Sequence, residues 1–419
     1  MTAIASVERG RPKRRFTPWT NPYIEALAMF VWFFTTAYRY NHDTEVLYLL
    51  CGYFLVGVYV HRAQVLPLMA RGWPILLLPP WVLLTTLWSA VPMETFKYAL
   101  QGILCVVICF YIASRISIRT FISALVVALT FYEVMSIPRL GDYNFAGVMF
   151  EKNFFAYRMS TLVFAALVVL LDKQYPRYLR IAAGPIAALA LFMIYKSHSA
   201  TSFVVGLMGI GVIFGAAWIW GPARGYRAFI IAIAVALVAG VALYLYRDPN
   251  FNAETWLLNA LGKDSTLTGR QELWDYAGKL IEQKPLLGMG FGSFWLPERV
   301  DAQALLDSHF KPRGIPFLFH NSYIELTVYS GYIGLTLGLI GWIWSFGANM
   351  GRVLARGTVA TAFFATIGII ALARSYVESD LWQPFDYAQM IIWIGAIYPW
   401  AREQSAVRRY VVPASIGAS

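Results

Sequence analysis

The chain alternates long apolar runs with short polar loops over most of its length. Such runs predict helices that cross a membrane, although several are shorter than the roughly 20 residues that a complete span needs. Twelve runs fit this description, near residues 23–38, 46–60, 74–91, 98–114, 120–136, 154–171, 181–195, 201–220, 228–246, 321–346, 358–373 and 386–400. The pattern therefore predicts an all-α polytopic membrane protein with about twelve transmembrane helices.

One long polar segment, residues 247–320, interrupts this alternation between the ninth and tenth predicted helices. Together with the start of the next helix, it contains the densest set of side chains that could do chemistry: Arg270, His309, Arg313, His320, Asn321 and Glu325. The chain thus divides into a basic tail over 1–22, helices over 23–246, the long loop, helices over 321–400 and a tail over 401–419.

The composition supports a membrane environment. Hydrophobic residues make up 58% of the chain and charged residues 14%, and the mean hydropathy is +0.56, whereas about 25% of a soluble domain is charged. So few charges cannot cover the surface of a chain of this length in water. The three cysteines, Cys51, Cys105 and Cys109, lie inside apolar runs, which leaves no disulfide framework and no CxxC metal site.

The net charge of +11 could indicate a nucleic-acid partner. Most basic residues, however, lie in short loops between apolar runs, where they orient a membrane protein. With the N-terminal tail inside, each inside loop carries at least two Lys or Arg residues, and each short outside loop carries one or two. The positive-inside rule then predicts cytoplasmic termini and places 247–320 on the outer face, with no nucleic acid bound.

Within the long loop, a helix is predicted from about Gly269 to Gln283, with Thr268 as its N-cap. Arg270 lies in the first turn, where free backbone N–H groups and the helix dipole favour an anion. It is either a solvated surface charge or a phosphate clamp, because a guanidinium matches phosphate oxygens in geometry and charge. The helix has an apolar stripe at Leu273, Ala277 and Leu280, and the turn after it contains Pro285, Gly288, Gly290 and Gly292.

Two further side chains have open interpretations. His320 begins the tenth predicted helix at the membrane boundary, and it is either an ordinary surface histidine or a general base. Glu325 follows five residues later and could enter the same cavity. Arg158, about six residues into the sixth helix, is either functional, as charges inside a membrane usually are, or paired with Glu133.

Four motifs together resemble a known family. They are GRQELW at 269–274, KPLLGMGFGSF at 284–294, HNSYIEL at 320–326 and GYIGL at 331–335. Their order and spacing resemble the C-terminal region of the O-antigen ligase and polysaccharide polymerase superfamily. FEKN at 150–153 is similar to the family's Lys-Asn helix start, and SHSAT at 197–201 is similar to its Ser-rich turn.

The segment RSYVES at 374–379 most resembles the exopolysaccharide polymerase branch. One position departs from the family pattern. Many members have an Arg or Lys within the Ser-rich turn, where this chain has Ala200, so Lys196 or His198 is the expected substitute.

The resemblance implies a bacterial inner-membrane glycosyltransferase of the GT-C type. Such an enzyme transfers a glycan from an undecaprenyl diphosphate carrier to an acceptor hydroxyl on the periplasmic side. The resemblance also implies that Arg270 is the cation that binds the diphosphate and that His320 is the base that accepts the proton of the acceptor hydroxyl. The other expected substrate-binding residues are Lys152, Asn153, Arg158, Lys196, His198, Asn321, Glu325, Arg374 and Glu378. Glu378 and Asp380 could imitate a metal site, but a solvated or structural pair is favoured, so neither metal nor cofactor is predicted.

Three functions remain open. The first is a polymerase that joins lipid-linked repeat units, and the second is a ligase that moves finished polymer onto lipid A-core or protein. The third is a flippase or other transporter of lipid-linked glycans, but a single large loop on one face favours a catalytic site over a symmetric pathway. The expected partners are the lipid-linked oligosaccharide, membrane lipid and, for a polymerase, a chain-length regulator protein.

Overall fold

The computed structural model describes residues 18–37, 44–142, 145–149, 151–220, 270–313 and 317–411. The predicted span at 228–246 lies outside these ranges, as do the first part of the long loop with Thr268 and Gly269, and most of the basic tail. Within the described ranges all regular secondary structure is helical, which confirms the all-α class.

The first four helices have 17 residues or fewer, and most of the later ones are longer. In chain order they are α1 (Pro22–Ala37), α2 (Thr44–Val60), α3 (Arg62–Arg71), α4 (Leu78–Leu84), α5 (Pro92–Arg115), α6 (Ile118–Ser136), α7 (Lys152–Leu171), α8 (Arg177–Lys196), α9 (Ala200–Trp220), α10 (Arg270–Gln283), α11 (Val300–Ser308), α12 (Ser322–Arg356), α13 (Val359–Ser375) and α14 (Tyr387–Val411).

Several of these helices are long and apolar enough to cross a membrane. By length and composition, the candidates in the described part are Pro92–Arg115, Ile118–Arg139, Lys152–Leu171, Arg177–Lys196, Ser202–Trp220 and Ser322–Ala355. The α2–α3 pair, bent by 94°, adds a seventh if it forms one broken span. The chain is therefore a multi-pass membrane protein, and the total of twelve spans remains a prediction.

The predicted run at 74–91 is not one helix. The chain instead forms Trp73–Leu76, α4 and Thr85–Leu87 in succession. The two adjacent prolines, Pro79 and Pro80, lie at the start of α4, since proline lacks the N–H that a helix interior requires.

The helix α7 lies at the centre of the bundle. It packs against α6, α8, α9 and α13, and it is the most enclosed of the candidate spans in the described part. The start of α7 and the C-terminal end of α13 consequently lie in the middle of one end of the bundle, where Arg374 of α13 stacks over Tyr157 of α7.

The predicted tenth helix is broken. Gly331 has φ +66°, which divides α12 into Ser322–Ser330 and a longer second segment. The carbonyls released at the break accept hydrogen bonds from the turn after α10, from Met289 N–H to Val328 and from Gly290 N–H to Tyr329. A broken helix is tolerated inside a membrane protein when neighbouring groups satisfy its backbone in this way.

The glycine-rich turn therefore does more than reverse the chain, because it holds the long loop against the break in α12. A Cβ at Gly331 would lie 2.1 Å from the carbonyl oxygen of Leu286, and a Cβ at Gly288 would lie 2.5 Å from Gly331 N. Both positions also have positive φ, so the contact requires glycine on both sides.

Candidate active site

His320 is held in a strained conformation between two anchored neighbours. Its φ is +54°, which is uncommon for a residue with a side chain and costs about 1–3 kcal/mol. The N–H of Phe319 donates to Glu325 Oε2 at 2.7 Å, and the N–H of Asn321 donates to Ser379 Oγ at 3.1 Å. Because both flanking residues are bound, the backbone of His320 is fixed.

The loop after α13 is tied to the start of α12 by reciprocal hydrogen bonds. Ser322 Oγ donates to the carbonyl of Glu378 at 2.9 Å and accepts from the N–H of Leu381 at 3.1 Å. Ser379 Oγ in turn donates to Glu325 Oε2 at 3.2 Å. The buried side chain of Glu325 therefore links these two segments by hydrogen bonds. Asn321 caps α12, because its side chain accepts hydrogen bonds from two backbone N–H groups.

The helix α10 brings Arg270 to this pair of segments. Its predicted stripe of Leu273, Ala277 and Leu280 is buried, as expected. Arg270 Nη1 donates to the carbonyl of Val377 at 2.5 Å, and one helical turn later the indole N–H of Trp274 donates to the carbonyl of Phe319 at 2.8 Å. The Gly-Arg-x-x-x-Trp pattern thus places the cation and fixes the residue that precedes His320.

One carboxylate lies between the predicted cation and the predicted base. Glu378 Oε1 is 3.4 Å from Arg270 Nη2, and Glu378 Oε2 is 3.3 Å from His320 Nδ1. The exposed fraction is 14% for the Glu378 side chain, 17% for Arg270 and 25% for His320. The cluster is therefore mostly enclosed but reachable from outside. We call Arg270, His320 and Glu378 the central triad.

Arg374 lies next to the central triad, in a separate buried pair. Its Nε donates to Asp380 Oδ2 at 2.7 Å, and its guanidinium carbon lies 4.1 Å from the centre of the Tyr157 ring. The interpretation of the acidic residues as structural partners agrees with this geometry for Asp380. Among the described residues no three His, Cys, Asp or Glu side chains are grouped as metal ligands.

Glu151, the residue before α7, interacts electrostatically with Glu378 and His320, and Lys152 is the first residue of α7. Glu151 is solvent-accessible, but the protein around it excludes enough water to raise the pKa of its carboxyl. Repulsion by Glu378 adds to the rise, and His320, Arg374 and Lys311 oppose it. The side chain of Lys152 is exposed and forms no ion pair with any described residue.

The Ser-rich turn meets the start of α7 but not the central triad. Ser199 Oγ donates to Asn153 Oδ1 at 2.9 Å, so the two family-like motifs are joined. Lys196 and His198 form no hydrogen bond or ion pair with the central triad in the described part of the chain. His198 is exposed, with φ +48°, and Lys196 ends α8.

Arg158 is buried among aromatic rings. Its guanidinium carbon lies 3.6 Å from the centre of the Tyr387 ring and 4.0 Å from that of Phe154, and its Nε donates to the carbonyl of Ala37 at 2.9 Å. The alternative of a pair with Glu133 is wrong, since within the described ranges no carboxylate pairs with Arg158. Cation–π contacts and a carbonyl offset the cost of burying the charge.

Sequence analysis did not identify two residues that build this site. Trp274 enters the sequence prediction only as part of the GRQELW motif, although its spacing of four from Arg270 places both on one helix face. Glu151 is not among the predicted site residues, because no local pattern distinguishes it and its relation to Glu378 arises from packing.

Comparisons with known proteins bear on the same region. The family model described as O-Antigen ligase matches residues 185–339, which include Arg270 and His320. The chain is 29% identical over 389 residues to the exopolysaccharide production protein ExoQ of Rhizobium meliloti (strain 1021), covering 89% of this chain and 87% of that protein.

Two further relatives come from Rickettsia. A protein of R. conorii named "Putative polysaccharide ligase" is 24% identical over 203 residues, which cover 48% of this chain and 46% of that protein. A protein of R. felis with the same description is 22% identical over 277 residues, which cover 63% of this chain and 65% of that protein. The sequence motifs, the family model and the long match to ExoQ agree, and together they support the O-antigen ligase and ExoQ-like family for this chain.

Proposed function

We propose that this protein is an inner-membrane polysaccharide polymerase. It transfers a glycan from an undecaprenyl diphosphate carrier to a sugar hydroxyl of a lipid-linked repeat unit, on the periplasmic side and without a metal. The observation that carries the proposal is the central triad, in which a guanidinium and an imidazole lie on either side of one carboxylate.

The chemical step uses the two ends of the triad. The acceptor hydroxyl oxygen attacks the anomeric carbon of the donor sugar, and the bond from that carbon to the diphosphate oxygen breaks. The electron pair leaves with the diphosphate, and the acceptor proton moves to His320 Nε2, for which the described residues provide no hydrogen-bond partner. The products are a new glycosidic bond, undecaprenyl diphosphate and a proton that His320 returns to solvent.

The leaving diphosphate needs positive charge where its own charge develops. Arg270 is partly exposed and supplies a guanidinium at the start of α10, where free backbone N–H groups also favour an anion. Lys152 is exposed at the start of α7 and extends the cationic surface. Arg374 is bound to Asp380, so it contributes to the local field more than to direct contact.

The remaining predicted residues support the donor and acceptor indirectly. Asn153 holds the Ser-rich turn, Asn321 and Glu325 hold His320, and Arg158 joins α7 to α14 through Tyr387. Lys196 is half-buried and His198 is exposed beside the Ser-rich turn, and both are assigned to contacts with the glycan away from the central triad.

The proposed orientation has twelve helices with both termini in the cytoplasm and residues 247–320 outside. It is supported by the excess of Lys and Arg in alternate loops. It places the central triad at the level of the lipid headgroups, where both lipid-linked substrates present their diphosphates.

A ligase is the second candidate, because the family model is described as an O-Antigen ligase and two relatives have ligase names. The two functions differ in what remains on the carrier when the protein is lost. A polymerase mutant should accumulate single repeat units on undecaprenyl diphosphate, and a ligase mutant should accumulate long chains. Carrier-linked glycans from a deletion strain, sized by mass spectrometry, distinguish them, and a ladder of long chains would refute the polymerase.

A further inference from the structure

We propose that Glu378 is a positioning residue that couples binding of the donor diphosphate to activation of His320. The inference rests on the proposed function and extends it to the order of events within the site. The carboxylate of Glu378 contacts both Arg270, the proposed cation for the leaving diphosphate, and His320, the proposed base for the acceptor hydroxyl.

The two contacts of the carboxylate with Arg270 and His320 are longer than tight ion pairs. The distances of 3.4 Å to Arg270 and 3.3 Å to His320 exceed the roughly 2.7–2.9 Å of a well-formed charge-assisted hydrogen bond. The backbone of Glu378, in contrast, is anchored. Its N–H donates to the carbonyl of Arg374 at 2.8 Å and its carbonyl accepts from Ser322 Oγ at 2.9 Å. The side chain can therefore change partners while its backbone stays in place.

A bound diphosphate changes the balance between the two partners. It is a multiply charged anion that competes with Glu378 for the guanidinium of Arg270, and it repels the carboxylate. Glu378 then moves towards His320 and accepts a shorter hydrogen bond from Nδ1–H. That bond fixes the tautomer with a free Nε2 lone pair and stabilises the imidazolium that forms when the acceptor proton is taken. The base is thus strengthened only when the donor is in place.

Other charged groups besides Glu378 interact with His320. Glu151 before α7 and Glu325 on α12 interact with it electrostatically, and Arg270 lies across Glu378. Lys311 and Arg374 interact electrostatically with Glu151. Of the acidic residues, Glu378 contacts the imidazole directly and also contacts the donor cation, so the coupling is assigned to it.

The test is Glu378→Gln in the full-length protein in proteoliposomes, with Glu282→Gln as the matched control. Glu282 is exposed in the last turn of α10. We expect turnover to fall about 10–100-fold, as for other residues that orient a functional histidine. Undecaprenyl diphosphate should bind several-fold more tightly, because Arg270 has lost its competing anion. The acid limb of the pH–rate profile should move to lower pH, because the imidazolium has lost its neighbouring anion.

The opposite directions of the two effects separate coupling from damage. A parallel loss of turnover and of undecaprenyl diphosphate binding, with an unmoved acid limb, would show that Glu378 only supports the fold. Glu378→Asp keeps the charge, so its acid limb should stay near the wild-type position with intermediate turnover. If the Gln variant does not fold, parallel losses in the Asp variant would overturn the coupling. If the wild-type protein itself neither binds undecaprenyl diphosphate nor transfers a glycan, the proposed function fails.

Discussion

The indole N–H of Trp274 donates to the carbonyl of Phe319 at 2.8 Å. This hydrogen bond joins the helix that carries Arg270 to the residue immediately before His320. The ring of Trp274 also packs edge-to-face against Tyr376, with ring centres 5.5 Å apart. A single side chain therefore sets the relative position of α10, the start of α12 and the loop that carries Glu378.

Replacing Trp274 with Phe should impair the geometry of the site more than the fold. The variant keeps an aromatic ring but leaves the Phe319 carbonyl without its donor, at a cost of about 1–3 kcal/mol. We expect turnover about tenfold lower, in line with the loss of other residues that orient a functional group, with donor binding retained because Arg270 is intact. Trp295→Phe is the matched control, since its buried indole nitrogen has no hydrogen-bond partner among the described residues. Equal effects of the two variants would contradict the role of Trp274.

Replacing His320 with Ala should abolish transfer and leave donor binding largely intact. The expected loss is about 10²–10⁴-fold, the usual contribution of a positioned general base. Turnover and binding of undecaprenyl diphosphate are measured separately in proteoliposomes, with His309→Ala on the same loop as control. Near-normal turnover of the His320 variant would show that another group accepts the proton.

Arg270→Ala should weaken donor binding as well as turnover, because it removes a charge from the diphosphate. Arg270→Lys should recover only part of both, since an ammonium lacks the planar fork of the guanidinium. The measurement is the affinity for undecaprenyl diphosphate as a function of salt concentration. An Ala variant with unchanged donor affinity would place the diphosphate elsewhere.

Gly288→Ala should destabilise the protein by about 3 kcal/mol, from backbone strain and overpacking together. The new Cβ would lie 2.5 Å from Gly331 N, at a position where φ is +69°. Gly278→Ala is the matched control within α10, where a Cβ meets nothing within 4 Å. It should stabilise by about 0.5–1 kcal/mol, because alanine favours a helix interior. Thermal unfolding in detergent compares the two, and a tolerated Gly288 variant would mean that the turn does not hold α12.

The predicted orientation can be tested with single cysteines, because Cys51, Cys105 and Cys109 are buried. Val300 is 83% exposed at the start of α11, and Lys173 is exposed in the loop between α7 and α8. We expect Val300→Cys to react with an impermeant thiol reagent in cells with a permeabilised outer membrane. Lys173→Cys should react only after the inner membrane is opened. The reverse pattern would place the central triad in the cytoplasm.

The helical class and most helix positions follow from the pattern of apolar residues, whereas the roles of Arg270 and His320 as cation and base come from the family resemblance and remain predictions. The helices depend on local information, since the hydropathy of a segment and the period of its apolar residues reveal a helix. The apolar stripe of α10 and the end of that helix before Pro285 were also predictable, because a single helix face and a single proline decide them.

The assembly of the site depends on contacts between segments that are far apart in the chain. His320 and Glu378 are 58 residues apart, and they meet because the loop after α13 is bound to the start of α12. The break at Gly331 was hidden within an apolar run, since its released carbonyls are satisfied by a turn some 40 residues earlier in the chain. Arg158 was assigned a carboxylate as one alternative and instead contacts aromatic rings, because helix packing chose its neighbours. Hydropathy is a property of each segment, whereas these contacts depend on which segments lie side by side.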